Sequence, residues 1–532
     1  MTGTDPLTAI CYGLFLLFLY LFLLLESGQH HLMTLLQPPS ASHEPIYQRL
    51  ASHYRGVIHA GSLAPGDRMP SLRTLMQQHG VSLSTALQLS RQLESEGWLE
   101  ARPRSGYFVR HPRRSTLARV AEPRLDVAPD AAQYVGIHAR VSEFVSRGRL
   151  QHITSNFSAA RCAPELYAGA ALKNAAMRVL RRKPELLVSS SPARGSQHFR
   201  EVLARRAVGM GLALSPDDIQ LTNGCIEALN IALRAVAQPG DTIAVESPTF
   251  YGLLQILESL NMRALEIPTS SENGLSVEAL ELALRTYPGI KAVVVVPHLQ
   301  NPLGAIMPDA RKQALLALCE NHDIALIEDD TYSELVNRTG SASSQAAAPR
   351  AIKSWDTNGR VIFCASLHKI LAPGLRLGWI SAGRWQARVE MLKYAQTRSN
   401  EELSQLAAAN FMASSGYDRH LRALRSKLAV QRARTAEAIA TYFPPGTRLN
   451  LPDGGLALWV ELPQQLSSRP VFDQALEAKI LVAPGWLFSN SQRFDHYLRI
   501  NCGWPYSTAV DDGLRKLGGI VSQLAEQMPA RI

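Results

Sequence analysis

Lys369 follows an apolar run and is itself followed by an arginine seven positions on, in the segment Ser366-Leu367-His368-Lys369-Ile370-Leu371-Ala372-Pro373-Gly374-Leu375-Arg376. An amine among apolar neighbours is desolvated, gives up its proton more readily and can form a Schiff base with an aldehyde cofactor. The arginine adds a planar fork of donors that suits a phosphate. Together Lys369 and Arg376 read as the attachment point of pyridoxal 5'-phosphate. A single lysine is ordinarily a solvated cation, so the reading rests on what accompanies it.

Other parts of such a site appear in chain order. Residues 220–230 combine a strand end, a tight turn at Gly224 and a helix start, and a helix N-terminus cradles phosphate readily. The run 242–245 leads into Glu246-Ser247-Pro248-Thr249-Phe250-Tyr251, where Phe250 presents a ring able to stack on a pyridine. The run 292–296 leads to Gln300-Asn301-Pro302-Leu303-Gly304, and Asn301 there offers an amide donor to a phenolate oxygen. After the run 324–327 comes Glu328-Asp329-Asp330-Thr331-Tyr332, a carboxylate followed by a phenol. A carboxylate on a pyridine nitrogen keeps the ring protonated and makes it an electron sink. Each has a plain structural use too: core packing for Phe250, a turn for Asn301-Pro302.

From about residue 153 to 524, these motifs resemble the fold-type I aminotransferase family of pyridoxal phosphate proteins. The resemblance implies Lys369 as the catalytic, cofactor-attaching lysine, Asp329 as partner of the pyridine nitrogen, Asn301 with Tyr332 at the phenolate oxygen, and Phe250 as the stacking ring. It also implies Gly224, Cys225, Ser366 and Arg376 around the phosphate. Tyr497-Leu498-Arg499-Ile500-Asn501-Cys502-Gly503 resembles the family motif whose arginine grips a substrate carboxylate, which gives Arg499 that role toward a small amino-group ligand. Two departures fall on the phosphate grip. Ser189, Ser190 and Ser191 stand where relatives carry a tyrosine that reaches the neighbouring subunit's phosphate, and His368 stands where serine is usual.

To bring these residues together the chain must carry an α/β fold. Aliphatic runs alternate with helical segments, as at 292–296, 310–320 and 324–327. Uninterrupted aliphatic strands are buried on both faces, hence a mostly parallel sheet covered by helices. The motif loops leave the C-terminal ends of the runs, where ligands bind in such sheets. A smaller C-terminal lobe begins near 454–460 and delivers Arg499 to the cleft, and the polar stretch 339–348 reads as a loop.

Residues 43–110 have a different character. Tyr47, Leu50 and Tyr54 recur at helical spacing, and Gly61, Pro65 and Gly66 end that helix. A second helix opens at Pro70-Ser71-Leu72-Arg73-Thr74-Leu75 with Ser71 as N-cap and stops at Gly80. A third is predicted from Ser82 through Leu99, with Ala86, Leu89 and Leu93 on one face and Ser84, Thr85, Gln88 and Arg91 on the other. Small polar and amide side chains with an arginine suit the major groove. Arg102-Pro103-Arg104-Ser105-Gly106-Tyr107-Phe108-Val109 reads as a two-stranded wing with a basic tip, and the arginine excess of the segment favours phosphate. Segments 63–73 and 96–109 resemble the winged helix-turn-helix of the GntR family. That domain joined to an aminotransferase-like domain is the architecture of the MocR subfamily of bacterial regulators. It implies a homodimer on a double-stranded DNA operator. The contact candidates are Ser71, Arg73, Ser82, Ser84, Thr85, Gln88, Arg91, Arg102 and Arg104, while Leu83 stands where many relatives have arginine.

A chain of 532 residues with net charge +10 accommodates one large two-lobed domain and a small one, and suits a polyanionic partner. Its six cysteines lack paired spacing and read as reduced thiols of a cytoplasmic protein, with no metal site expected. Residues 111–152, rich in arginine, alanine and proline, read as a linker. Residues 7–25 carry no charge and are long enough to span a bilayer. The leader, residues 1–38, is therefore either a membrane anchor or sequence ahead of a start at Met33. The composite reading is a transcriptional regulator that senses an amino acid, an amine or pyridoxal 5'-phosphate itself. A working aminotransferase with an accessory winged helix stays open, because Lys369, Asp329, Arg376 and Arg499 are all in place.

Overall fold

The computed structural model describes residues 45–59, 62–63, 67–96, 98–102, 105–109, 117–123, 129–337 and 349–528. The leader, Arg104 and the loop 339–348 lie outside the described residues. Among the described residues no helix is long and apolar enough to cross a membrane. The chain separates into two compact units, the first ending at residue 110 and the second running from 111 onward together with residues 95–97.

The first unit holds α1 (Ile46–His59), α2 (Leu72–His79), α3 (Leu83–Ser95), β1 (Leu99–Arg102) and β2 (Gly106–Val109). Ser71 caps α2 by accepting the Thr74 N–H, and Gly80 closes it at φ 61, a left-handed conformation natural to glycine. The core joins Ala51, Tyr54 and Ile58 of α1 to Leu75 of α2 and to Ala86, Leu89 and Leu93 of α3. α3 stops at Ser95, short of the predicted Leu99. The Trp98 N–H turns back onto the Leu93 carbonyl at 2.9 Å, and Leu99 instead opens β1 opposite Val109 of the antiparallel hairpin. An apolar residue at that spacing fits helix or strand alike, and the pairing with Val109 decides.

The second unit is built on a mixed sheet. Its main strands are β3 (Gln133–Tyr134), β4 (Gln220–Thr222), β5 (Thr242–Ser247), β6 (Arg263–Ser270), β7 (Ile290–Val295), β8 (Ala325–Asp330), β9 (Val361–Ser366) and β10 (Gly378–Ser381), with the two-residue strand Gly274–Leu275 paired antiparallel to the end of β6. They lie in the order β3-β6-β5-β7-β8-β9-β10-β4. From β6 to β9 neighbours are parallel, whereas β10 runs antiparallel to both β9 and β4, and β3 antiparallel to β6. Every residue of β5, β8 and β9 is buried, as a sheet covered on both faces requires.

The stretch expected as a linker is largely part of this unit. β3 sits on the sheet edge, and α4 (His138–Leu150) buries Val141 and Phe144, with the Phe144 ring 5.8 Å from that of Phe472. The Ile137 and His138 N–H groups, at the start of α4, both donate to the Glu258 carboxylate, at 2.6 and 2.8 Å. Two buried positions three apart among arginines make too narrow a stripe to stand out in sequence. A separate antiparallel sheet near the C-terminus pairs β11 (Ala457–Glu461) with β12 (Tyr497–Asn501), placing Arg499 opposite Trp459.

Candidate functional site

Strand ends β4, β5, β7, β8 and β9 and the strand β12 converge on a cavity of about 270 Å³. Lys369 reaches its wall three residues past the end of β9, and its Nζ donates to the Ala160 carbonyl. Burial first, then the nearby Arg499 charge, lowers the amine's pKa to about 8. A lysine in this state carries a usable unprotonated fraction near neutral pH.

Asp329, the penultimate residue of β8, is buried opposite the start of α5 (Cys225–Val236). It accepts the Thr331 hydroxyl at 2.6 Å, the Thr331 N–H at 3.1 Å and the Cys225 thiol at 3.2 Å. Burial raises the carboxyl's pKa, and the Thr331 and Cys225 donors oppose that shift. Burial and the Asp329 charge push the Cys225 thiol well up, which keeps it a donor.

Asn301 and Tyr332 meet at another edge, with Asn301 Nδ2 3.4 Å from the Tyr332 hydroxyl. Burial pushes that phenol up. Arg499, itself 1 % exposed, donates from Nη1 to Asn301 Oδ1 at 3.0 Å and from Nη2 to the Ser158 carbonyl. Phe250 lies in the wall as a half-buried ring beside Tyr251, centroids 5.0 Å apart.

The remaining edge is shaped for an anion. Gly224 precedes α5 at φ 80 and ψ 179, and a Cβ there would stand 3.3 Å from Arg376 Nη2. Only glycine populates that region freely, so the turn leaves the α5 N–H groups open. Arg376 donates to the Asn223 carbonyl at 3.1 Å. Behind the turn, the Glu227 carboxylate holds the Asn223 N–H at 2.5 Å and the buried Lys393 amine at 3.0 Å, which pins the loop in place. Ser366 Oγ accepts the His368 N–H at 3.2 Å.

In the first unit α3 exposes Ser84, Gln88 and Arg91 along one side, with Thr85 half-buried, and α2 exposes Arg73 beside Ser71. Ser82 is occupied: its Oγ takes the Thr85 N–H at 3.2 Å and bonds the Ser84 and Thr85 hydroxyls at 2.8 and 2.9 Å. It acts as the cap of α3. Arg102 is tied to its own wing, donating to Glu100 at 2.8 Å and stacking 4.3 Å over the Phe108 ring.

Comparison with known proteins matches these two parts. Residues 46–109 fit the bacterial regulatory proteins of the gntR family, and residues 167–509 fit aminotransferase class I and II. The chain is 37% identical over 482 residues to the HTH-type transcriptional regulator YjiR of Escherichia coli strain K12, a match that spans 90% of this chain and 99% of that one. The chain belongs to the GntR-type regulators of MocR architecture. A second MocR-type relative, the HTH-type transcriptional regulator YdcR of the same strain, is 35% identical over 90% of this chain and 99% of its own. Among solved structures, the multiple substrate aminotransferase of Thermococcus profundus superposes with a TM-score of 0.66 at 25% identity, covering 73% of the MocR-type chain and 96% of the enzyme.

Two contributors to the cavity of this MocR-type chain carry no local signal in sequence. Ala160 and Arg161 arrive from a segment after the short strand Ser155–Asn156, which pairs with Ile480–Leu481 far along the chain. Thr331 lies inside the motif that contains Asp329 and Tyr332, and its two bonds to Asp329 follow from the turn at the end of β8.

Proposed function

We propose that this MocR-type regulator binds a double-stranded DNA operator through α3 and its wing, and senses an amino acid or amine in a cavity that holds pyridoxal 5'-phosphate. The observation that carries the reading is the gathering of Lys369, Asp329, the Asn301–Tyr332 pair and Arg376 around one cavity of suitable size in a chain that also bears a winged helix. The residues fit the cofactor: a glycine turn that a Cβ would fill, an arginine beside it, and a buried carboxylate in the same cavity wall. When bound, the group supplies an aldehyde carbon and an electron-drawing ring.

This chain's own residues then divide the work. Arg376 and the α5 N-terminus hold the phosphate. Asp329, which accepts the Thr331 hydroxyl and the Cys225 thiol, would hold a proton on the ring nitrogen. Lys369 offers its unprotonated amine. Asn301 and Tyr332 donate to the ring oxygen. Arg499 lines the cavity, where its Nη1 and Nη2 donate to Asn301 Oδ1 and the Ser158 carbonyl, and its planar guanidinium suits a ligand carboxylate. On the DNA side, Arg73 contacts backbone phosphate, and Ser84, Thr85, Gln88 and Arg91 face base edges, with Ser71, Arg102 and Arg104 alongside. A cytoplasmic homodimer on a palindromic or repeated operator completes the reading.

Turnover is the second reading, favoured by the presence of Lys369, Asp329 and Arg499 in one cavity. The test combines a genome-wide footprint of the protein with an assay for keto acid in the same preparation. Discrete operators with negligible keto acid support the regulator. Rapid keto acid formation without specific footprints supports the enzyme.

A further inference from the structure

Arg161 enters the cavity wall on a segment that no motif marks, and the division of work proposed above leaves its guanidinium without a task. Its backbone is fastened on both sides. The Arg161 N–H donates to the Ala159 carbonyl at 2.8 Å, the Arg161 carbonyl accepts Asn501 Nδ2 at 3.2 Å, and the Ala163 N–H donates to the Gly503 carbonyl at 2.8 Å. Gly503 comes so close only because it lacks a side chain, since a Cβ there would collide with the Arg161 carbonyl oxygen. The Arg161 side chain, in contrast, is exposed and makes no hydrogen bond, ion pair or ring contact with any described residue. Residues two apart in a strand share a face, and Arg499 and Asn501 of β12 hold the same segment. Arg499 Nη2 donates to the Ser158 carbonyl, the Asn501 N–H to the Phe157 carbonyl at 2.8 Å, and the Asn501 amide to Arg161. One strand thus registers the two arginines against each other.

The charges of the wall are unequal. Arg161, Lys369, Arg376 and Arg499 line it against one carboxylate, Asp329, among the described residues. Burial leads the lowering of the Lys369 pKa, and the Arg499 and Arg161 charges add to it, so the Arg161 charge is felt at the reacting amine. On the proposed reading Arg376 faces the cofactor phosphate, Asp329 the ring nitrogen, Lys369 the aldehyde carbon and Arg499 the ligand's α-carboxylate. Arg161 is the cation left over. Cations gathered in one cleft repel each other, and an anion placed among them removes that cost.

We propose that Arg161 recognises a second anionic group on the ligand's side chain, so that the cavity selects amino acids with a carboxylate or phosphate beyond the α-carbon over neutral ones. The inference rests on the reading that the loaded cavity takes an amino acid, and deepens it by naming the class. Arg499 holds the α-carboxylate and Arg161 the distal anion, two points that a neutral side chain does not satisfy together. The guanidinium's fork of donors matches carboxylate and phosphate alike. Because Arg161 is exposed, solvent screens the contact, and its effect is smaller than that of a buried pair.

The experiment titrates the full-length, cofactor-loaded protein by visible absorbance. Aspartate and glutamate are compared with asparagine and glutamine, which match them in shape and lack the charge, and O-phosphoserine is compared with serine. Arg161→Gln and Arg161→Lys are titrated in the same way, and cofactor retention on dialysis is measured for all three proteins. The expected result is tighter binding of at least one acid than of its neutral counterpart, a preference that shrinks by about 5- to 10-fold in Arg161→Gln and is largely kept in Arg161→Lys. Whether the dicarboxylates or O-phosphoserine carry that Arg161-dependent preference says which anion the site takes. No acid preference in the parent protein, or an equal preference in Arg161→Gln, overturns the proposal while leaving the ligand reading intact. Weaker cofactor retention in Arg161→Gln with the acid preference unchanged also overturns it, and moves Arg161 to the cofactor. If no amino acid or simple amine alters the spectrum of the loaded parent protein, the ligand reading itself falls.

Discussion

Arg499 Nη1 donates to Asn301 Oδ1 at 3.0 Å, which joins β12 of the C-terminal sheet to the loop after β7 of the large sheet. The residue proposed for a ligand carboxylate and the residue proposed for the cofactor's ring oxygen thus share one bond. Replacing Arg499 with lysine removes the planar fork while keeping charge. Charged hydrogen bonds contribute about 1.5–3 kcal/mol. Affinity for amino acids should fall roughly 10- to 150-fold, with affinity for the corresponding simple amines changed much less. Spectral titration of the cofactor-loaded protein measures both. Equal losses for acids and amines would remove Arg499 from carboxylate recognition.

Lys369 sets a pH dependence of its own. Its pKa is lowered to about 8, and the reactive form is the unprotonated amine. Covalent capture of pyridoxal 5'-phosphate should therefore rise about tenfold per pH unit below that value and level off above it. Stopped-flow absorbance across pH reads the rate, and borohydride reduction followed by peptide mass analysis should place the adduct on Lys369. A profile still climbing at the usual lysine range, or an adduct on another lysine, would contradict the assignment.

Gly224→Ala tests the anion turn. A side chain at φ 80 and ψ 179 is strained, and its Cβ would crowd Arg376 Nη2 at 3.3 Å. Such backbone conformations cost about 1–3 kcal/mol in a non-glycine residue. Denaturant unfolding should show a loss of that order, and phosphate-dependent cofactor retention should fall further. Unchanged retention would mean that the turn does not hold the phosphate.

Arg73 and Gln88 separate the two kinds of DNA contact. Arg73→Ala should weaken binding to all sequences and reduce the salt slope by about one, whereas Gln88→Ala should relax preference at one base position at a cost of about 1–3 kcal/mol. Binding to a panel of operator variants at several salt concentrations distinguishes them. If both substitutions act alike, α3 does not lie in the groove as proposed.

Much of this arrangement was legible because most of the motifs end apolar runs. Asn301 and Lys369 follow β7 and β9, and buried aliphatic strands signal a parallel sheet whose ends collect ligands, whereas Gly224 follows the short antiparallel β4 and was marked by its turn and the helix start after it. What stayed hidden depends on contacts distant in sequence. Ala160 and Arg161 enter the cavity through the pairing of Ser155–Asn156 with Ile480–Leu481, and no local pattern encodes that. α4 was masked by arginines around its two buried residues, Val141 and Phe144. The end of α3 turned on whether Leu99 served helix or hairpin, a choice made by Val109 on the other strand. The capping role of Ser82 likewise depends on its hydroxyl contacts with Thr85 and Ser84, which its residue type alone does not settle.

Occupancy of the cavity should change the affinity of the winged helix for DNA. A ligand shifts DNA affinity only to the extent that it binds the DNA-competent and incompetent states differently, and couplings of this kind are typically about 1–3 kcal/mol, or about 5- to 150-fold. The direct measurement is operator binding by the cofactor-loaded protein and by Lys369→Ala, each titrated with a panel of amino acids and amines. The expected result is a change in operator affinity of about 5- to 150-fold with at least one amine in the parent protein, and basal binding without that response in Lys369→Ala. An equal ligand response in both proteins would contradict sensing through Lys369.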